Sequence, residues 1–326
     1  MDLAGDKVVA QVVSRLGQAG PGPVQVEGTW GSFARLLTAY VSRTLHRPVL
    51  HVCPHIDDAD RAFDDLKTFG AAGVELLPAW EGEEELADAT DETRAERLRI
   101  VSRLADAGRR DHANRVVAAP IQALCQPIPK PSALRASSLE LRVNATLDPE
   151  AVVEWLVNNN FERVDAVDLP GQFARRGGII DIYAPVGLGP AGNGDSHSAI
   201  GSVALRVDFF GDTIESIREI NLDTQRSSRE IGSIGILAAA SPAVIEQREL
   251  FLNVLPPETI VVFEEPAQVE EVASVFLARM EKADRLYPWA QIHAAAAGFT
   301  QLRICRFATG ALDGFLKLEV RSIQQF

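Results

Sequence analysis

Apolar runs of strand length alternate with amphipathic runs of helix length in the N-terminal third of the chain, and this alternation restricts the fold more than any other feature. The predicted strands are residues 24–26, 48–53, 74–77 and 115–119, and the predicted helices are residues 7–18, 32–45, 59–69 and 92–107. Strands that alternate with helices form parallel sheets covered by helices. The pattern therefore predicts an α/β domain.

A different pattern begins after the proline-rich segment Gln126–Pro131, and we predict a domain boundary near residue 145. Asp148-Pro149-Glu150 combines an N-cap acid with proline at the first helical position, which predicts a helix start. Strands are predicted at residues 173–183, 203–210 and 213–220, with Gly211-Asp212 as a two-residue hairpin turn. After residue 235 the α/β pattern resumes, with strands at 258–264, 302–307 and 316–322 and a helix at 268–282.

The turn after the first predicted strand is where the backbone of a phosphate loop would bind a nucleotide. Compared with G-x-x-x-x-G-K-[ST], the chain has phenylalanine at the second glycine, alanine at the lysine and arginine at the magnesium-binding hydroxyl. The ring blocks close backbone approach, and alanine carries no charge for the phosphates. We therefore predict a degenerate, non-functional nucleotide loop that comprises Gly28, Gly31, Ser32, Phe33, Ala34 and Arg35.

An apolar strand that ends in Glu264-Glu265 resembles the strand whose carboxylates position magnesium and water in such ATPases. Without a working phosphate loop, a buried strand that ends at a polar loop is the better interpretation. His51 and His55 lack metal-ligand spacing and are interpreted as surface or hydrogen-bonded core residues. We expect no catalytic residues, no ATP hydrolysis, no metal and no cofactor in this chain.

The predicted hairpin has one apolar and one mixed face. If Gly211-Asp212 is the turn, the alternation of side chains gives a core face of Leu205, Val207, Phe209 and Ile214. The opposite face then carries Arg206, Asp208, Phe210 and Glu215. Arginines mixed with a large aromatic side chain are typical of protein interfaces.

Two further arginines are placed relative to this hairpin. Arg176 approaches from the neighbouring strand, where Gly177-Gly178 permits a bulge, and Arg218 is placed opposite Leu205 on the core face. An alternative interpretation is that the arginines pair with Asp181, Asp208 and Glu215 to stabilise a small sheet. Docking is favoured because an aromatic ring has no need to face a polar surface otherwise.

The order and spacing of several segments resemble the UvrB-homology region shared by the excision-repair protein UvrB and the transcription-repair coupling factor (Mfd) family. The segments lie within residues 148–228 and include Leu169-Pro170-Gly171, residues 173–183, residues 206–218 and residues 223–227. The stretch from Leu77 to Arg94 is acidic and contains no tyrosine, unlike the tyrosine-rich hairpin with which UvrB grips damaged DNA. This difference favours the coupling-factor family.

The resemblance implies a degenerate RecA/helicase-like parallel-sheet domain built from residues 1–145 and 236–326. It also implies a smaller α+β domain at residues 146–235 that binds UvrA in nucleotide excision repair at stalled RNA polymerase. The implied docking residues are Arg176, Arg206, Phe210, Asp208, Glu215 and Arg218. The long loop from Pro185 to Gly201 departs from the compact family pattern.

The resemblance further implies that an ATP- and magnesium-dependent DNA translocase, with the RNA polymerase and DNA contacts, lies in a C-terminal part beyond Phe326. The alternative is a UvrB-like helicase half with weak nucleotide or DNA binding. A net charge of −13 opposes binding to the phosphates of DNA. Three widely spaced cysteines and the lack of a signal peptide or a long apolar run predict a cytoplasmic protein, expected to be a monomer.

Overall fold

The computed structural model of the protein describes residues 3–18, 22–80, 92–106, 115–189, 199–237, 246–307 and 316–317. In chain order its α-helices are α1 (Lys7–Gly17), α2 (Phe33–Leu45), α3 (Ile56–Thr68), α4 (Glu92–Asp106), α5 (Ile121–Cys125), α6 (Pro131–Ala136), α7 (Pro149–Asn158), α8 (Pro266–Arg279) and α9 (Trp289–Ala296). Short 3-10 helices cover Leu3–Gly5, Phe251–Val254 and Ala283–Arg285. Among the described residues, no helix is long and apolar enough to span a membrane.

The first eleven strands include the N-terminal half of the parallel sheet. They are β1 (Val24–Glu27), β2 (Val49–Cys53), β3 (Ala72–Leu76), β4 (Arg115–Pro120), β5 (Ile128–Pro129), β6 (Ser138–Arg142), β7 (Glu162–Arg163), β8 (Gln172–Arg176), β9 (Ile179–Ala184), β10 (Val186–Leu188) and β11 (Ala199–Ile200). The later strands are β12 (Val203–Phe210), β13 (Thr213–Asn221), β14 (Arg226–Glu230), β15 (Ser233–Leu237), β16 (Arg248–Glu249), β17 (Ile260–Glu264), β18 (Thr300–Cys305) and β19 (Leu316–Lys317).

The described residues within 1–81, 109–127 and 250–326 form one compact unit. Its parallel sheet has the strand order β19-β1-β18-β17-β2-β4-β3, so strands from both ends of the chain alternate in one sheet. All residues of β2 and β17 are buried, as expected for central strands of a sheet covered on both faces. The predicted α/β fold class, with a parallel sheet built from both chain ends, is confirmed.

The described residues within 82–108 and 128–249 form a second compact unit. A six-stranded sheet has the order β14-β13-β12-β9-β8-β7, and a four-stranded sheet has the order β11-β10-β15-β6. Helix α7 begins where it was predicted, because the Asp148 carboxylate accepts a hydrogen bond from the Glu150 N–H at 2.9 Å. Its buried Val152 and Leu156 belong to the same apolar cluster as Phe173 of the six-stranded sheet.

The second unit extends beyond the predicted boundaries near residues 145 and 235. Strand β6 precedes residue 145, yet it pairs antiparallel with β15 near residue 235. Helix α4, predicted as part of the α/β domain, also belongs to this unit. Most of the acidic stretch from Leu77 to Arg94 lies outside the described residues, and so does most of the loop from Pro185 to Gly201. The end of the predicted strand at 316–322 also lies outside them.

The prediction of one continuous strand over residues 173–183 with a bulge at Gly177-Gly178 is wrong. Strands β8 and β9 form an antiparallel hairpin in which Arg176 pairs with Ile179, and Gly177-Gly178 is its turn. Gly177 has a φ of 61°, a conformation that favours glycine. A Cβ atom on Gly178 would lie 2.8 Å from the carbonyl oxygen of Phe209, so the turn can approach β12 only without a side chain there.

We expect Gly178→Ala to lower the free energy of unfolding by about 1–3 kcal/mol, because the added methyl group must displace backbone atoms of β12. Gly232→Ala is the matched control, since its added Cβ would have no neighbour within 4 Å. A change of at most about 0.5 kcal/mol is expected for the control. Urea unfolding of both variants measures the difference, and equal stability would contradict the close approach of the two strands.

Candidate functional site

Arginine, acidic and exposed apolar side chains share one face of the six-stranded sheet. Arg206 pairs in register with Asp181 of β9 on one side and with Arg218 of β13 on the other. Paired residues of adjacent strands place their side chains on the same face of a sheet. We call this surface the arginine face, and it comprises Arg176, Ile179, Asp181, Arg206, Asp208, Phe210, Ser216 and Arg218.

The predicted position of Arg218 on the core face is wrong. The pairing of β12 with β13 shifts between Asp208 and Phe209, because Asp208 pairs with Ser216 whereas Phe209 pairs with Ile214. Glu215 is therefore the extra residue of a β-bulge, and it is exposed. An extra residue reverses the inward and outward alternation that follows it, and this reversal brings Arg218 onto the arginine face.

Asp181 is the buried acid of the arginine face. Arg206 binds it with both ends of its guanidinium, at 2.7 Å from Nε to Oδ1 and 2.8 Å from the terminal nitrogen to Oδ2. This hydrogen bonding raises the pKa of Arg206 above its usual value. Arg176 lies 3.6 Å from Asp181 Oδ2 and donates to the Asp165 carbonyl, yet its side chain is 55% exposed. Arg206 therefore pairs with an acid inside the sheet, as the alternative interpretation predicted. Arg176 on the same face remains exposed.

A second polar group surrounds Asp208. Ser216 donates its hydroxyl hydrogen to the Asp208 carboxylate at 2.6 Å, and Arg218 lies 3.3 Å from the same carboxylate oxygen. Arg218 also donates to the Ser216 hydroxyl at 2.9 Å. Its side chain is only partly exposed. The three side chains fix one another, so the Arg218 guanidinium is held in place.

Phe210 is the most exposed large apolar residue among those described, with 81% of its surface accessible. It is the last residue of β12, next to the Gly211-Asp212 turn, which is confirmed by the pairing of Phe210 with Thr213. Ile179 on the same face is 38% exposed. The sequence analysis missed Ile179, although its position two residues before Asp181 in one strand gives both side chains the same direction. The exposed apolar surface therefore lies at the hairpin-turn end of the arginine face.

The other end of the same sheet face is covered. Ala174, Ala204 and Ile220 form a small buried cluster with Val167, which precedes β8. Gln225 donates from its amide nitrogen to the Val167 carbonyl at 3.1 Å and thus connects the turn after β13 to this cover. The accessible part of the face is therefore limited to the arginine face and the hairpin turn.

The residues predicted as a degenerate nucleotide loop lead into helix α2, which begins at Phe33. Gly28 and Gly31 have positive φ angles, while the Phe33 and Ala34 side chains are buried in the apolar core of the first unit. Arg35 is also buried, with 6% of its surface accessible. In a phosphate loop, the residues at these positions approach and bind the phosphates. In this chain they are buried.

The buried Arg35 has three acidic side chains around it, of which Glu264 is also buried. Its Nε lies 3.4 Å from Glu264 Oε2, and its terminal nitrogens lie 2.8 Å from Asp65 and 4.0 Å from Asp58. Burial lowers the pKa of Arg35, but Glu264 and Asp65 raise it more, so the group remains charged. The residue at the magnesium-binding position of the loop pattern is therefore paired directly with the last residue of β17.

His51 connects Glu264 to helix α2. Its Nε2 lies 3.0 Å from Glu264 Oε2, and its Nδ1 lies 3.1 Å from the Thr38 hydroxyl. His51 is fully buried, which agrees with its interpretation as a hydrogen-bonded core residue. Burial by itself raises the pKa of the Glu264 carboxyl, but the hydrogen bonds and charges of His51 and Arg35 lower it below its usual value. Burial and the nearby Glu264 raise the pKa of the Cys53 thiol well above its usual value.

The arginine face lies within a segment that matches a known family. Residues 139–241 match the family model described as the UvrB interaction domain, and this range includes every residue of the arginine face. The segment is therefore a domain of the UvrB-interaction class. Within the whole chain, about two thirds of the residues align with proteins named transcription-repair-coupling factor.

Three such relatives come from different bacteria. Identity is 33% over 224 residues with the protein of Mycobacterium tuberculosis (strain CDC 1551 / Oshkosh), 29% over 211 residues with that of Bacillus subtilis (strain 168), and 26% over 210 residues with that of Escherichia coli (strain K12). These alignments cover 68%, 64% and 64% of this chain. They span only 16%, 16% and 17% of the relatives' own length. The resemblance to transcription-repair coupling factors, predicted from residues 148–228, is confirmed.

We expect Glu264→Gln to destabilise the protein by about 3–5 kcal/mol at neutral pH, because Arg35 and His51 lose a buried charge partner. Since the pKa of Glu264 is lowered in the folded protein, its stabilising contribution is complete above the usual value near 4.5. That contribution is lost as the pH falls through the lower pKa of the folded state. The stability difference between wild type and variant should therefore shrink as the pH falls below about 4.5.

Urea unfolding of both proteins over a pH series measures this difference. Glu270→Gln, which removes an exposed carboxylate from helix α8, is the matched control for loss of an acidic side chain. A stability difference that stays constant down to the acid-unfolding limit would show that Glu264 is not held ionised by Arg35 and His51.

Proposed function

We propose that the chain is the N-terminal module of a transcription-repair coupling factor and acts in DNA repair by recruiting UvrA. The family match over residues 139–241 and the coupling-factor relatives support the repair role. In this proposal the ATP- and magnesium-dependent translocase, and the contacts with RNA polymerase and DNA, belong to the much longer remaining part of such a protein.

The exposure of Phe210 on the arginine face is the observation that carries the docking proposal. A phenylalanine that is 81% exposed leaves most of its apolar surface in water, and burying that surface in a partner stabilises a complex. The neighbouring Arg206 and Arg218 are already oriented by Asp181 and Asp208, so little side-chain freedom is lost on binding. Phe210 would thus be the central anchor of the contact, with the oriented side chains of Arg206 and Arg218 around it.

The charges on this surface favour an acidic partner site. Arg176 is exposed over more than half of its side chain, and Arg206 and Arg218 use only part of their donors on Asp181, Asp208 and Ser216. A guanidinium has five N–H donors, so donors remain for carboxylates of UvrA. Glu215, the bulge residue beside this surface, would lie at the rim of the contact.

We expect Phe210→Ala to weaken UvrA binding about 30-fold or more, the effect of removing an interface anchor that contributes at least about 2 kcal/mol. Val157→Ala is the matched control because Val157 is 55% exposed in the same unit but lies on helix α7. Calorimetry or interferometry with purified UvrA measures the dissociation constant of each variant, and its ratio to the wild-type constant gives the effect. Equal affinity of Phe210→Ala and wild type would rule out the arginine face as the docking site.

Neighbouring arginines of β8 provide a second matched pair. Arg176 is on the arginine face, whereas Arg175 points away from it and pairs with Glu150 at 2.6 Å. We expect Arg176→Ala to slow UvrA association and to reduce its salt dependence, since an exposed positive charge steers an acidic partner. Arg175→Ala should leave the association rate unchanged. The same rate effect in both variants would indicate general charge attraction rather than a defined face.

The alternative function, a helicase half that binds nucleotide weakly, is opposed by the buried side chains of Phe33, Ala34 and Arg35. We expect no saturable binding of a fluorescent ATP analogue to this chain in the presence of magnesium. The measurement is a fluorescence titration, with UvrB as the positive control. Stoichiometric binding that is competed by ATP would favour the alternative function over the coupling-factor module.

A further inference from the structure

Three side chains with metal-binding atoms meet at the carboxyl ends of β2 and β17. His51 Nε2, Cys53 Sγ and one oxygen of Glu264 all lie within 4.8 Å of one another. His51 Nε2 is 3.0 Å and Cys53 Sγ is 3.8 Å from Glu264 Oε2. All three residues are buried. Their convergence is set by the parallel pairing of the two strands, in which Phe263 lies beside Val52.

Imidazole nitrogen, thiolate sulfur and carboxylate oxygen form a donor set that suits zinc and similar divalent ions. Metal–ligand bonds of such ions measure about 2.0–2.3 Å, so two ligand atoms on a tetrahedral ion lie roughly 3.3–3.8 Å apart. The distances from Glu264 Oε2 to the other two ligand atoms are close to this spacing. Only small shifts would bring all three atoms around one ion.

A cation of the protein itself already contacts the Glu264 carboxylate of this cluster. Arg35 Nε lies 3.4 Å from the same Glu264 oxygen that contacts His51 and Cys53, and Asp65 holds the other end of the guanidinium at 2.8 Å. Arg35 has its charge without any ligand and loses no proton under ordinary conditions. A divalent ion beside Glu264 would therefore meet a fixed positive charge a few ångströms away, which is strongly repulsive in a protein interior.

We propose that the Arg35 guanidinium is a built-in cation that fills a divalent-metal position formed by His51, Cys53 and Glu264, and that a neutral residue at position 35 opens this position to a thiolate-binding metal ion. The inference concerns the first unit and is independent of UvrA docking. It explains why the carboxylate is retained at the end of β17 although the phosphate loop is degenerate: Glu264 balances the buried arginine.

The protons in this cluster determine what metal binding must release. The Thr38 hydroxyl donates its hydrogen to the Ala34 carbonyl at 2.9 Å, so it accepts the hydrogen of His51 Nδ1. One proton then lies between His51 Nε2 and Glu264 Oε2, since two acceptors would not approach to 3.0 Å. A divalent ion would take the lone pairs of Nε2, Oε2 and the sulfur. It would displace that proton and the Cys53 thiol proton to solvent, and the Nδ1–H bond to Thr38 would remain.

Arg35→Gln with Co²⁺ as the probe tests the proposal, because cobalt bound to a thiolate shows ligand-to-metal absorption in the near ultraviolet. Arg35→Gln should bind one Co²⁺ with this absorption, at an affinity on the order of a hundredfold or more above that of wild type, since a unit charge near the ion has been removed. Arg35→Gln with Cys53→Ser should lose the absorption. Arg35→Lys, which keeps a positive charge, should resemble wild type.

Three results would overturn the proposal. One is equal Co²⁺ affinity, with thiolate absorption, in wild type and Arg35→Gln; another is a folded Arg35→Gln protein that shows no thiolate absorption at saturating Co²⁺. The third applies if Arg35→Gln is isolated unfolded. Refolding with excess Co²⁺ should then restore the wild-type circular dichroism spectrum, because the metal replaces the missing charge, and failure to do so contradicts the proposal.

Discussion

The pairing of strands from opposite ends of the chain is the interaction on which the rest of the structure depends. β17 lies between β2 and β18, and β18 lies next to β1, so the centre of the parallel sheet requires both chain ends. The strands β2 and β17 are buried, and this pairing satisfies backbone groups that would be costly to leave unpaired in a core. The intervening residues 128–249 lie outside this sheet, and together with the described residues of 82–108 they form the second compact unit.

The same strand pairing determines the surroundings of Arg35. Glu264 is 229 residues away from Arg35 in the sequence, yet the two side chains are in contact because β17 lies beside β2. Helix α2 brings Arg35 to this place, and His51 bonds to both Thr38 of the helix and Glu264 of the strand. Without its acidic partners, Arg35 would carry an unpaired charge into the core, which is unfavourable by several kcal/mol. The buried Arg35 and the carboxylate of Glu264 at the end of β17 are thus physically linked.

Local patterns predicted most helices and strands of the α/β part, and the predicted ends that lie within the described residues differ from the observed ones by at most three residues. Periodicity and capping are properties of neighbouring residues, which explains this agreement. Helices α5 and α9 were not predicted. Local patterns also predicted the Gly211-Asp212 turn and the mixed face that includes Arg206 and Phe210. Among features that depend on distant partners, the sheet built from both chain ends was predicted. The extent of the second unit was not. The pairing of β6 with β15 extends the second unit beyond both proposed boundaries, and nothing within residues 138–142 indicates it.

The bulge at Glu215 is the clearest case of a local feature with a long-range cause. A strict two-residue alternation through β13 directs Arg218 towards the core, where a charged guanidinium would be very unfavourable. One extra residue resolves this conflict, and Arg218 then pairs with Asp208 and Ser216 on the arginine face. An ionisable residue at an inward position of an otherwise regular strand is therefore a signal for a bulge that the sequence analysis could have used.

Arginine has two opposite roles in this chain, and burial decides between them. Arg35 is almost fully buried and has Glu264, Asp65 and Asp58 as partners, so its charge is neutralised inside the protein. Arg176 has a long contact with the Asp181 carboxylate, its side chain is more than half exposed, and it lies on the same sheet face as the exposed Phe210. A neutralised buried charge offers nothing to a ligand, whereas an oriented and exposed one can still bind a carboxylate. Of these two arginines, Arg176 is therefore the one whose donors are accessible from solvent.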